Sequence, residues 1–126
     1  MEREEFDLTV EQCWNELPDE WKKELEEANI SYEIIDLAAN EIAAKAGTSP
    51  WNLLGLFSGV PKTVRHKGFE PMAFPDRITV FRLPIMSRIF DTESLRKTIK
   101  HVLYHEIGHY FGLSEDELRQ AQGDPL

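Results

Sequence analysis

Apolar residues recur three and four apart through residues 93–111, ESLRKTIKHVLYHEIGHYF. There Leu95, Ile99, Val102, Leu103 and Tyr110 gather on one side of a helical wheel. Asp91 or Thr92 can cap this segment, which predicts one helix roughly 28 Å long at about 1.5 Å per residue. Upstream the pattern is more broken. Thr9 with Gln12 reads as a capping box opening a helix to about Leu17, and Pro18 opens a second, PDEWKKELEEAN, with Trp21 and Leu25 four apart on one face. ISYEIID has strand composition, whereas the alanine-rich LAANEIAAKAG is helical in character and ends at Gly47. NLLGLFSGVPK reads as an apolar strand and a turn at Gly59 and Pro61, FEPMAFPD as a proline-broken loop, and DRITVFRLPI as a strand ended by Pro84.

Composition narrows the function classes. A chain of 126 residues, 41% hydrophobic, fits one globular domain spanning residues 1–126 with a modest core. A formal net charge of −9 argues against general affinity for nucleic acid or anionic membranes and leaves basic partners and neutral peptides. Cys13 is the only cysteine, so an internal disulfide and a cysteine-based zinc site are excluded. MEREEFD lacks the features of a secretory signal, and no apolar stretch reaches the length of a membrane span. The expected location is the cytoplasm.

The chemistry concentrates in HEIGHYFGLSEDEL, residues 105–118. On the wheel Glu106 falls inside the apolar stripe, while His105 and His109 flank it about 40° apart and one turn along the axis. Each alone has an ordinary explanation, since a histidine beside a core is usually a hydrogen-bonded structural residue and a helical glutamate is usually solvated. Together they form HExxH. A glutamate on a buried face needs a partner, and a nearby divalent cation would supply one. Zinc suits the spacing. Imidazoles at i and i+4 reach one ion, and the intervening carboxylate is placed to act as general base toward water activated by that ion.

The HExxHxxG run resembles the start of the metzincin-like zinc peptidase motif. The longer series NLLGLFSGVPK, FPDRITVFRLPI and LRKTIKHVLYHEIGHYFGLSEDEL is similar to a family of small bacterial zincin-like metallopeptidases, over roughly residues 53–118. The resemblance implies an α+β fold, a minimal zincin with a small sheet packed beside the helix that carries HExxH. It also implies a Zn2+ cofactor and a peptide or protein substrate. Larger zincins differ from this chain. Where a metzincin carries its third histidine, position 115 is glutamate, no methionine follows the motif, and only residues 110–126 remain for a downstream ligand. The third ligand is therefore close by or upstream. Glu115, six residues past His109, holds the metzincin third-ligand position, and Gly112 can turn the chain back toward the ion. Asp116 is the neighbouring alternative, while Ser114 and Glu117 fit the capping box of a terminal helix.

Other residues carry less. His101 completes a ladder with His105 and His109, but one helix cannot bend all three onto one ion, so it is expected beside the site or at the surface. His66 belongs to an exposed loop. Trp14, Trp21 and Trp51 are expected to pack, as are Tyr104 and Tyr110. Arg77 and Arg82 flank ITVF and serve solubility or touch substrate carboxylates. An extended peptide is expected along an exposed sheet edge formed by Ile78–Leu83. The reading that results is a zinc-dependent peptidase with Glu106 as general base and His105, His109 and Glu115 as ligands. Its rival is a metal-binding interaction module without significant turnover.

Overall fold

The computed structural model describes residues 2–59, 76–113 and 116–117. In chain order these form α1 (Arg3–Asn15), α2 (Asp19–Glu27), β1 (Ser31–Ile35), α3 (Asn40–Lys45), a 3₁₀ turn (Pro50–Asn52), β2 (Gly55–Ser58), β3 (Arg77–Phe81), α4 (Arg82–Met86) and α5 (Thr92–Tyr110). The architecture is α+β, a small mixed sheet beside one long C-terminal helix.

The sheet order is β1-β3-β2. β3 runs parallel to β1, with Ser31 opposite Arg77 and Ile35 opposite Phe81, and antiparallel to β2, with Gly55 opposite Val80 and Ser58 opposite Arg77. Pairing on both sides leaves β3 no free edge, and both faces of the sheet are covered at this strand, Ile78 and Val80 by the main core and Phe81 by a smaller cluster, so Ile78, Thr79, Val80 and Phe81 are all buried. Ile78–Leu83 is therefore not an exposed edge. Pro84 does not end the strand either. β3 stops at Phe81, and Pro84 lies buried in the first turn of α4, where its missing N–H would have no intrahelical partner anyway.

Side chains alternate across the sheet, so Ile78 and Val80 share a face with Gly55 and Phe57, while Leu56 lies on the opposite face with Phe81. The first face carries the main core, in which Ile78 and Val80 meet Phe6 and Val10 of α1 and Leu95, Ile99, Leu103 and Ile107 of α5. The second carries a smaller cluster of Ala38, Ala43, Leu53 and Phe81, with Leu56 packed against it.

α1 begins at Arg3, earlier than its sequence pattern predicts, because Phe6, Val10 and Cys13 already trace one buried stripe. Thr9 is not a cap. Its hydroxyl lies inside the helix and donates to the Glu5 carbonyl at 2.8 Å. Of the three tryptophans, Trp14 packs on Tyr32 and Trp21 on Tyr104, with ring centroids 5.2 Å and 5.0 Å apart, but Trp51 is exposed. Arg77 and Arg82 form ion pairs to β1 and its flank, Arg77 with Glu33 at 3.0 Å and Arg82 with Asp36 at 2.8 Å. Among the described residues no helix is long and apolar enough to cross a membrane.

α5 positions the site, and both its ends are fixed. The Asp91 carboxylate accepts the Ser94 amide at 2.7 Å while the Ser94 hydroxyl accepts the Asp91 amide at 3.3 Å, a reciprocal capping box. At the other end Gly112 has φ +82°, its N–H donates to the His109 carbonyl and the Leu113 N–H donates to the Gly108 carbonyl, both at 3.0 Å. This is a Schellman turn, and the left-handed position explains the glycine.

Candidate metal centre

The buried stripe of α5 seats Leu103 and Ile107 in the core and leaves His105, Glu106 and His109 half-buried along its margin. One turn separates the two histidines, whose rings stand edge to face with centroids 4.7 Å apart. Their Nε2 atoms are 3.1 Å apart. A tetrahedral zinc ion binds imidazole nitrogen at about 2.0–2.1 Å, which sets two such nitrogens about 3.3 Å apart. Only a few tenths of an ångström separate that arrangement from the observed one. One donor atom each from His105, Glu106 and His109 lies within 4.8 Å of the others, so the three side chains form a group able to hold a metal ion.

Glu106 also has a partner that no side-chain pattern announces. The Phe57 amide donates to Glu106 Oε1 at 3.0 Å. The ladder explains why that amide is available. The Phe81 amide donates to the Leu54 carbonyl at 2.9 Å, and with the antiparallel alternation Leu54 and Leu56 turn their backbone groups toward β3 while Gly55 and Phe57 turn theirs outward. Close approach of β2 to α5 depends on Gly55, where an added Cβ would stand 2.5 Å from Val102 Cγ1 and 3.2 Å from Glu106 Cγ. The partner that a glutamate on this face needs is thus supplied in part by an amide, so its placement alone does not point to a cation. What points to metal is the convergence of two imidazoles and a carboxylate.

The remaining candidates fall into place around this group. His101 is half-buried with its ring 6.0 Å from that of His105, and it does not join the metal-holding set. Tyr104 packs on Trp21, and Tyr110 is buried with its ring edge-on to Phe57 at 5.8 Å. Asp116 and Glu117 are helical and exposed, and Asp116 is not part of the group. Glu115 and His66 lie outside the described residues. Gly55 and Phe57 carry no reactive side chain. Their one signal in the sequence is a glycine interrupting the apolar run LLGLF, which marks a close approach of backbone to a neighbour.

Beside the group lies a cavity of about 330 Å³, with Ala46, Leu53, Gly55, Leu56 and Phe57 on one side and His105, Glu106 and His109 on the other. The family model for zincin-like metallopeptidases matches residues 25–124, from within α2 through the whole of α5. No curated protein matches the chain. The chain belongs to the zincin-like metallopeptidase family.

Proposed function

We propose that this zincin-like protein hydrolyses peptide bonds, with zinc held by His105, His109 and Glu115 and with Glu106 as the general base. The observation that carries the reading is the approach of the two Nε2 atoms to 3.1 Å, with the glutamate of the same helical turn beside them. Zinc, when bound, supplies a Lewis acid that polarises a carbonyl and lowers the pKa of water. Glu106 is held by the Phe57 amide at Oε1, so we assign proton transfer to Oε2. There the carboxylate takes a proton from the attacking water and returns it to the departing amine nitrogen as the C–N bond breaks. The outward-facing Gly55 amide and the Gly55 and Phe57 carbonyls give an extended peptide a strand edge to pair with while the Phe57 amide stays on Glu106, which moves the expected edge from Ile78–Leu83 to β2.

Glu106→Gln tests the assignment against a metal-binding module without turnover, and three further substitutions test the third ligand. Glu106→Gln is expected to keep zinc affinity within about tenfold and to lower hydrolysis about 10² to 10⁴-fold. Glu115→Ala is expected to weaken zinc binding about tenfold or more, with Asp116→Ala and Glu117→Ala near wild type. Equal hydrolysis by wild type and Glu106→Gln would refute the general base, and a zinc affinity indifferent to Glu115 would move the third ligand elsewhere.

A further inference from the structure

The outer edge of β1 lies across the sheet from the metal centre, and we infer that it docks an extended basic segment of another protein. Strand pairing points backbone groups out along this edge. The Phe81 amide donates to the Leu54 carbonyl, so Thr79 and Phe81 turn their backbone groups toward β2, and Ile78 and Val80 turn theirs toward β1. In the parallel ladder Ile78 and Val80 then bond to Ser31, Glu33 and Ile35, which directs the N–H and C=O groups of Tyr32 and Ile34 away from the sheet. Charged side chains commonly guard such edges against added strands. The one charge in β1 is engaged elsewhere: Glu33 accepts from Arg77 and from the Thr79 hydroxyl, each at 3.0 Å.

Helix α1 gives the edge its charge. Arg3 meets Asp36 at 2.6 Å, just past the end of β1, and Trp14 packs on Tyr32 near its start, so helix and strand run antiparallel side by side. Arg3, Asp7, Glu11 and Trp14 fall within about 80° of one another on the helical wheel, which sets Asp7 and Glu11 along the middle of the strand. Burial, and after it the charges of Glu11 and Asp7, push the Tyr32 hydroxyl above its ordinary pKa, so both carboxylates act on this edge. Among the described residues neither has a cationic partner, and Asp7 Oδ1 is buried without a hydrogen-bond donor. A segment added to β1 alternates its side chains, and those on the α1 side meet Asp7 and Glu11, where lysine or arginine is attracted and an acid repelled. A second copy of this chain would bring its own acids there. At the Trp14 end a cavity of about 460 Å³ opens beside Leu25, Ile30 and Tyr32, with Lys22 drawn to the Asn15 carbonyl at 3.0 Å, and it can take an apolar side chain next to the basic ones.

Fluorescence anisotropy with the full chain tests the docking, using a labelled peptide that alternates lysine with threonine around a central leucine and so reads the same in either strand direction. Binding in the micromolar range is expected, with a glutamate-for-lysine peptide about tenfold or more weaker. Asp7→Asn combined with Glu11→Gln is expected to weaken the lysine peptide about tenfold. Glu20→Gln combined with Glu41→Gln removes the same charge at exposed positions elsewhere and should leave binding near wild type. Hydrogen exchange read residue by residue locates the peptide: the Tyr32 and Ile34 amides gain protection on binding, whereas those of Glu33 and Ile35, already in the ladder, stay as they were. No binding, or an equal loss from both pairs of substitutions, would overturn the site, the latter by showing attraction to net charge alone. Protection at Gly55 in place of Tyr32 and Ile34 would overturn it as well. So would Tyr32 and Ile34 amides that are protected before the peptide is added, since the chain itself or a second copy would then already cover the edge.

Discussion

At Gly55 one methyl group decides how closely the edge strand meets the helix. Alanine there would place its Cβ 2.5 Å from Val102 Cγ1, so either β2 moves off α5 or the helix side chains repack. Overpacking of this kind costs about 1–3 kcal/mol, and Gly55→Ala is expected to lower stability to urea by that amount. Zinc affinity should hardly change, because His105 and His109 both sit on α5. Wild-type stability in Gly55→Ala would mean that the strand does not approach as closely as described. The contrast between Gly55 and the histidines shows what residue-level reading reaches. HExxH announces itself because its spacing is local and its side chains carry the chemistry. The Phe57 amide that holds Glu106 is a backbone group from a distant part of the chain, and any residue type but proline could have supplied it.

Helix α5 was legible as an element because its apolar stripe, its Asp91 cap and its glycine stop all agree. Elsewhere local signals misled. Thr9 and Gln12 satisfy a capping-box pattern inside a helix whose buried stripe had started at Phe6, and tertiary burial prevailed over the cap. β3 has the proline-rich flanks of an edge strand, yet it pairs with β1 on one side and β2 on the other, a non-local arrangement that no short window records. The α5 cap can be tested by pH. Its hydrogen bond from the Ser94 amide, with the Ser94 hydroxyl assisting, holds the Asp91 carboxyl below its ordinary value of 3.8. A carboxyl depressed in the folded state contributes stability in full above its unfolded pKa and loses it as pH falls through the lower folded value. Asp91→Ala is therefore expected to lower Tm by a few degrees at neutral pH, with the gap between variant and wild type closing as acid protonates Asp91. A gap that is the same in acid as at neutral pH would show that the carboxylate is not the stabilising group.

Over the whole molecule, α1 and α5 cover one face of the sheet, and the smaller cluster around Leu53 and Phe81 occupies the other. The metal-holding group lies at the margin between α5 and β2, where the helix meets the outer edge of the sheet. The family resemblance carried by residues 53–118 anticipated an α+β fold and a small sheet beside the helix, and the family match widens that span to residues 25–124. Strand order and the place of Ala46, just past α3, in the cavity wall were beyond it, since both depend on contacts between segments far apart in the chain. Everything proposed about activity depends on whether the two histidines bind metal. The most direct measurement is the zinc content of the full chain purified without added metal, followed by titration with zinc. About one zinc per chain is expected; protein that is metal-free as purified and fails to take up zinc at micromolar concentrations would contradict the account.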